Sequence, residues 1–151
     1  MTIRIINVHM QTTSFDRMRS KAAQARGEQD EEQERGIYLG YSDNFRENTV
    51  RRAGQAEQIS SLINATEYPL IVCGDFNDSP ISYTHRVVGE GLNDAFVESG
   101  NGFGISYNQN HFYFRIDNIL LSKNLKSYRC TVDNTIKSSD HYPIWCYVAE
   151  K

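Results

Sequence analysis

Gly74-Asp75-Phe76-Asn77 follows the uninterrupted apolar run Leu70-Ile71-Val72-Cys73. A glycine there lets the backbone turn sharply at a strand end, so that Asp75 and Asn77, two residues apart, both face one small cavity. A carboxylate beside a carboxamide offers a base or metal ligand together with a neutral donor for a phosphoryl oxygen. The same residues also suit a plain β-turn, which Asp78-Ser79-Pro80 would continue. Ser139-Asp140-His141 stands just ahead of the apolar stretch 143–148. There the carboxylate could hold a hard cation while the imidazole moves a proton, or the triplet could be a turn with a surface histidine. Asp117 lies inside an apolar and aromatic segment, 112–121, where charge is seldom buried without a partner. His141 is a natural one, since an aspartate that fixes one imidazole nitrogen leaves the other free to act. His9 closes the group. A lone histidine at a strand end is as readily structural, but four strand-associated polar clusters together point to one shared site.

Positioning these groups requires a layered α/β domain. Residues 3–10 read as a strand. From Arg46 to Ala65 the positions Val50, Ala53, Ala56, Ile59, Leu62 and Ile63 recur at helical spacing, and Pro69 cannot continue that helix. The run 70–73 suits a central strand covered on both faces, which makes strand, helix, strand one crossover unit. Segments 112–121, 128–132 and 144–148 read as strands joined by turns, an antiparallel portion of a mixed β-sheet with flanking helices. The stretch Ser20 to Gly36, with its run of Glu, Gln and Asp, has almost no large apolar residue. It is expected as a solvated loop or frayed helix, with a mobile lid over a neighbouring site as the alternative, and residues 16–45 as a mobile charged insertion.

The order Asn-x-His (Asn7, His9), Gly-Asp-x-Asn (Gly74, Asp75, Asn77), Arg-Ile-Asp (Arg115, Ile116, Asp117) and Ser-Asp-His (Ser139, Asp140, His141) resembles the endonuclease/exonuclease/phosphatase superfamily. These are the DNase I-like metal-dependent phosphoester hydrolases. The resemblance implies that His9 contacts the scissile phosphate or acts as an acid, and that Asp75 orients or deprotonates the attacking water while also serving the metal. It implies that Asn77 hydrogen-bonds the phosphate, Asp117 pairs with the terminal histidine, Asp140 binds the divalent metal (Mg²⁺ or Mn²⁺) and His141 is a general base or transition-state stabiliser. Asn7 and Arg115 are implied as substrate-binding residues. Arg51, Arg52, Gln55 and Ile59 fall in the helix usual before the Gly-Asp-x-Asn strand, read as scaffold.

Family members are usually about twice as long, built as two similar halves, so the whole of residues 1–151 resembles the C-terminal half of a four-layer α/β sandwich. The half that normally supplies a metal-binding Glu has no counterpart here. A lone half would leave one sheet face uncovered, which leads to the expectation of either a further N-terminal segment or face-to-face self-association. The expected reaction is metal-dependent hydrolysis of a phosphoester, of nucleic acid, a phospholipid head group or a small phosphodiester. The alternative is a noncatalytic half-domain acting as a binding module.

Composition narrows these choices. In 151 residues, 16 Lys and Arg against 19 Asp and Glu give a net charge of −3, without the basic excess of a nonspecific nuclease. Arg46, Arg51, Arg52, Arg86 and Arg115 are left as a possible local cationic rim. Tyr107, Phe112, Tyr113 and Phe114 could stack on bases or fill core. His9-Met10-Gln11 resembles the His-x-Gln of sphingomyelinase-like branches. No run of about 18 apolar residues is present to span a bilayer, and residues 1–6 are too short and too soon polar for a secretory signal. Cys73, Cys130 and Cys146 lack the Cys-x-x-Cys spacing of a zinc site and read as buried free thiols. A nucleophilic Cys73 is the lesser enzymatic alternative, because its apolar strand would raise the cost of a thiolate.

Overall fold

The computed structural model describes residues 2–13, 15–28, 30–109 and 113–151. Its first unit is β1 (Arg4–His9), helices α1 (Phe15–Gly27) and α2 (Glu31–Asn64), then β2 (Leu70–Asp75). β1 and β2 pair in parallel with His9 opposite Asp75, so the expected crossover is present. α3 (Tyr83–Val88), the two-residue β3 (Asn93–Asp94) and α4 (Ala95–Ser99) lead to β4 (Asp117–Leu121), which pairs antiparallel with both β2 and β3. The result is a mixed sheet in the order β1-β2-β4-β3, accompanied by the antiparallel pair β5 (Leu125–Val132) and β6 (Ile144–Glu150). This is the mixed sheet with flanking helices that the sequence pattern anticipates. β4 begins at Asp117, not at 112; of the residues before it, Phe112 lies outside the described residues and Phe114 bridges to Tyr107.

Alternation assigns the two sheet faces. Leu70, Val72 and Leu120 are buried with Ile6 and Val8 packed beside them, and Ala56, Ile59 and Ile63 of α2 close over that face. Ile71, Ile119 and Leu121 point the other way, into a second cluster with Phe96, Leu125, Cys130 and Cys146. Val50 and Leu62, expected on the apolar stripe of α2, are exposed; the stripe narrows to the residues spaced 3 and 4 apart from Ala56 to Ile63.

The acidic stretch corrects the sequence reading. Of the two alternatives, loop or frayed helix, the described residues take the helical one: α1 runs to Gly27 and α2 begins at Glu31, 15 residues before the expected start at Arg46. Asp30 caps α2 by accepting from the Gln33 amide at 2.8 Å. Met18, Ala22 and Ala25 are buried at helical spacing along a helix that packs on α2. Alanine needs no bulk to line a close helix seam and costs least to place in a helix, so a sequence poor in large apolar residues still forms a packed pair. Lys21, Arg26, Glu31, Glu32 and Arg35 are exposed.

Candidate active site

Three adjacent strands bring the expected groups together. In the β1–β2 register His9 stands opposite Asp75, and in the β2–β4 register Asp75 stands opposite Asp117, so the three form a row at one end of the sheet. His141 joins them from the chain ahead of β6 through a bridge between Tyr107 and His141. Gly74 makes this row possible: its φ is +132°, and a Cβ there would lie 2.0 Å from the Val8 carbonyl oxygen.

The His141 Nδ1 lies 2.7 Å from Asp117 Oδ2, which leaves Nε2 for other work. That hydrogen bond raises the His141 pKa above its ordinary value, against the opposing effect of burial, with the charges of Asp117, Asp75 and Asp140 adding to it. Asp117 is itself oriented from below: the buried Ser106 hydroxyl accepts from the amides of Ile116 and Asp117 at 3.1 and 3.0 Å. Burial raises the Asp75 carboxyl above its ordinary range, and the Asp117 charge adds to this, while the Asn77 amide and the two imidazoles pull it down. His9 Nε2 is 3.6 Å from Asp75 Oδ2 and its side chain is 78% exposed, so it can also reach a ligand.

Asn77 sits in the left-handed region at φ 50°, which asparagine tolerates. Its backbone amide donates to Asp75 Oδ1 at 2.7 Å, and its side-chain Nδ2 donates to Asp75 Oδ2 at 2.7 Å and to the Met10 carbonyl at 3.1 Å. Both partners of Nδ2 are acceptors, which fixes the amide's orientation. Asn77 therefore positions Asp75 in this arrangement; both of its side-chain hydrogens are already engaged, so its expected bond to a phosphate would have to displace one of these.

Asp75, Asp117 and His141 each present a ligand atom within 4.8 Å of the others. Asp140, expected as the metal ligand, is exposed, accepts from the Ser139 hydroxyl at 3.0 Å and lines the same cavity outside that close group. The cavity has a volume of about 1120 Å³ and includes Thr12, Thr13, Tyr41, Ser42, Phe45, Tyr107 and Phe114 in its walls. Tyr41 and Phe45 come from the part of α2 that precedes the expected start at Arg46. Their spacing with Tyr38, three and then four residues, was the available signal. Ser106 carried none.

Several expected residues are elsewhere. Arg115 is not a substrate contact: its side chain is 6% exposed, its two Nη atoms donate to Asp94 at 3.0 and 2.6 Å, and its guanidinium lies over Phe96. A buried carboxylate beside it holds it in the core. Asn7 is exposed one strand repeat before His9 and is not part of the cavity wall. No cationic rim forms from the remaining four arginines either, since none of them lines this cavity. Arg51 pairs with Glu47, and Arg86 stacks over Tyr83. Arg52 is buried, donating to the Gln11 carbonyl at 3.0 Å and, more weakly, to Asp78 at 3.4 Å, while Gln55 accepts from the Gln11 amide at 2.9 Å. These bonds tie α2 to the loops after β1 and β2.

Known proteins share this arrangement of elements. An endonuclease/exonuclease/phosphatase from Bacteroides vulgatus superposes with a TM-score of 0.57 at 19% identity, over 68% of this chain and 45% of that one. A functionally unknown conserved protein from Enterococcus faecalis gives 0.55 at 19% identity, over 68% and 46%. The human nocturnin catalytic domain with bound sulfate gives 0.51 at 20% identity, over 72% and 42%. This chain thus spans less than half the length of each. No curated protein matches it. At these identities the superpositions establish the DNase I-like fold, and the family assignment comes from the sequence itself. The model of the endonuclease/exonuclease/phosphatase family matches residues 17–141, and the chain belongs to that family.

Proposed function

We propose that this domain hydrolyses a phosphoester with the help of a divalent cation, Mg²⁺ or Mn²⁺. One observation carries the reading: His9, Asp75, Asp117 and His141, from four separate segments, meet at one end of three adjacent strands. The residues fit a hard cation. Asp75 and Asp117 oppose each other in register, a like-charge pair that is unfavourable unless positive charge stands beside it, and with His141 they offer three donor atoms within 4.8 Å. Asp75 and Asp117 would hold the ion through oxygen, with Asp140 at hand in the same cavity. When bound, the ion supplies charge neutralisation at the phosphate.

The chain's own groups supply the rest. Asp75, held on both oxygens by Asn77, orients the attacking water and accepts its proton. His141, fixed through Nδ1 by Asp117, presents Nε2 to the developing charge, and the exposed His9 contacts the phosphate or protonates the leaving oxygen. The test is hydrolysis of bis(4-nitrophenyl) phosphate by the full-length protein with Mg²⁺ or Mn²⁺. Asp75→Asn and His141→Ala are each expected to lose about a thousandfold or more in turnover, by the usual worth of a catalytic base or a transition-state donor. Unchanged turnover in either variant removes that residue from the mechanism; no turnover by the wild type favours a noncatalytic binding module.

A further inference from the structure

The cavity is much larger than a phosphate requires, and the volume of about 1120 Å³ reaches beyond the range of roughly 300–1,000 Å³ typical of sites for drug-sized ligands. Its wall beside the charged centre is aromatic. Tyr41 and Phe45 of α2 stand one helical turn apart with ring centroids 6.2 Å from each other, and Tyr107, edge-on to His141 at 5.2 Å, gives the same cavity a further ring at the site itself. Phe45 and Phe114 line the same cavity while remaining 44% and 45% exposed. Apolar rings held open to solvent next to a polar centre mark a surface that gains by being covered.

The charges of the wall say what can cover it. Asp75, Asp78, Asp117 and Asp140 line the cavity, and among the described residues no Lys or Arg does. One phosphate can be balanced by a bound cation and the two imidazoles; a second anionic group would face uncompensated carboxylates. From this we infer that the cavity beside the Asp75–Asp117–His141 centre is a subsite for an aromatic ring esterified to a single phosphate, with Phe45 and Phe114 as its specificity-determining residues. The inference rests on the phosphoester reading above. Aliphatic tails could also fill an apolar wall, but stacked or edge-on ring contacts contribute beyond area burial only when the ligand is itself aromatic.

The test uses phosphonates, whose carbon–phosphorus bond is not a substrate for ester hydrolysis, so binding is measured apart from turnover. Titration calorimetry with the full-length protein and Mg²⁺ compares phenylphosphonate, cyclohexylphosphonate, methylphosphonate and 4-carboxyphenylphosphonate. Phenylphosphonate is expected to bind about tenfold more tightly than methylphosphonate and several-fold more tightly than cyclohexylphosphonate, the scale of one ring contact. The carboxylated analogue is expected to bind about tenfold more weakly than phenylphosphonate. Phe45→Leu, which keeps an apolar helical residue, and Phe114→Leu should each bring the phenyl-to-cyclohexyl ratio toward one. Cyclohexylphosphonate binding as well as phenylphosphonate, a ratio that survives both substitutions, or equal binding of the carboxylated analogue overturns the aromatic subsite alone. Failure of all four to bind overturns the phosphoester reading and the subsite with it.

Discussion

Gly74 is the residue on which the row of site groups turns. With φ +132° and the Val8 carbonyl 2.0 Å from any Cβ, Gly74→Ala must shift β1 or β2, and a loss of at least about 3 kcal/mol is expected in urea unfolding. Gly54, in α2 with open space around it, is the contrasting case: Gly54→Ala should stabilise by about 0.5–1 kcal/mol, through helix propensity alone. Equal effects of the two substitutions would contradict the strand-end geometry. At this scale His9, Asp75, Asp117 and His141 were legible because strand ends and fixed two-residue spacing restrict where a side chain can point. Arg115 was not, since a charged residue next to a motif says nothing of whether an acid elsewhere, here Asp94 twenty-one positions away, takes it into the core. Nor could residue type alone show that Asn77 spends its hydrogens on Asp75 and Met10.

Between elements, Asp94 does the joining. Its Oδ1 accepts from the amides of Phe96 and Val97 at the start of α4, its carboxylate receives Arg115, and His85 of α3 lies 3.2 Å from Oδ2. Burial would raise this carboxyl, but the hydrogen bonds from His85 and Arg115 and the Arg115 charge overcome it and hold the group well below the ordinary carboxylate value of 3.8. A folded-state pKa below the unfolded one gives stability that is complete above that value and lost as the pH falls through the lower, folded pKa. Asp94→Asn should therefore cost about 3 kcal/mol at neutral pH, the scale of breaking a buried pair, with the gap to wild type narrowing under acid. Chemical unfolding at neutral and acid pH checks this; a pH-independent gap would assign the loss to packing. The helices show the limit of pattern reading at this scale. α2 was recognised from Arg46 onward because Ala56, Ile59 and Ile63 follow the helical period, whereas its first half and α1 depend on a seam of Ala22 and Ala25 and on the Asp30 cap, signals weaker than apolar bulk.

The molecule as a whole has one well-covered sheet face and one incompletely covered face. On the first, α2 buries Ala56 against Leu70, Val72 and Leu120. On the second, Ile71, Ile119, Ile144, Cys146 and Val148 are only partly buried, and Ile5, whose side chain alternates away from the α2 side, is 65% exposed. By strand alternation Ile5, Ile71 and Ile119 share the face of His9, Asp75 and Asp117, so what covers that apolar part also walls the site. Apolar surface of this kind is stabilised when removed from water, at roughly 25 cal/mol per Å², and in a solution of this chain alone the available cover is another copy. The 151-residue chain is thus expected to associate face to face, with an apparent mass that rises with concentration in light scattering. Ile5→Lys should shift it toward 17.3 kDa, since a charge on the open face opposes contact while Ile6 and Val8 still anchor β1. A mass of 17.3 kDa that stays constant with concentration in the wild type would mean that the remaining exposure is tolerated and that the face needs no cover.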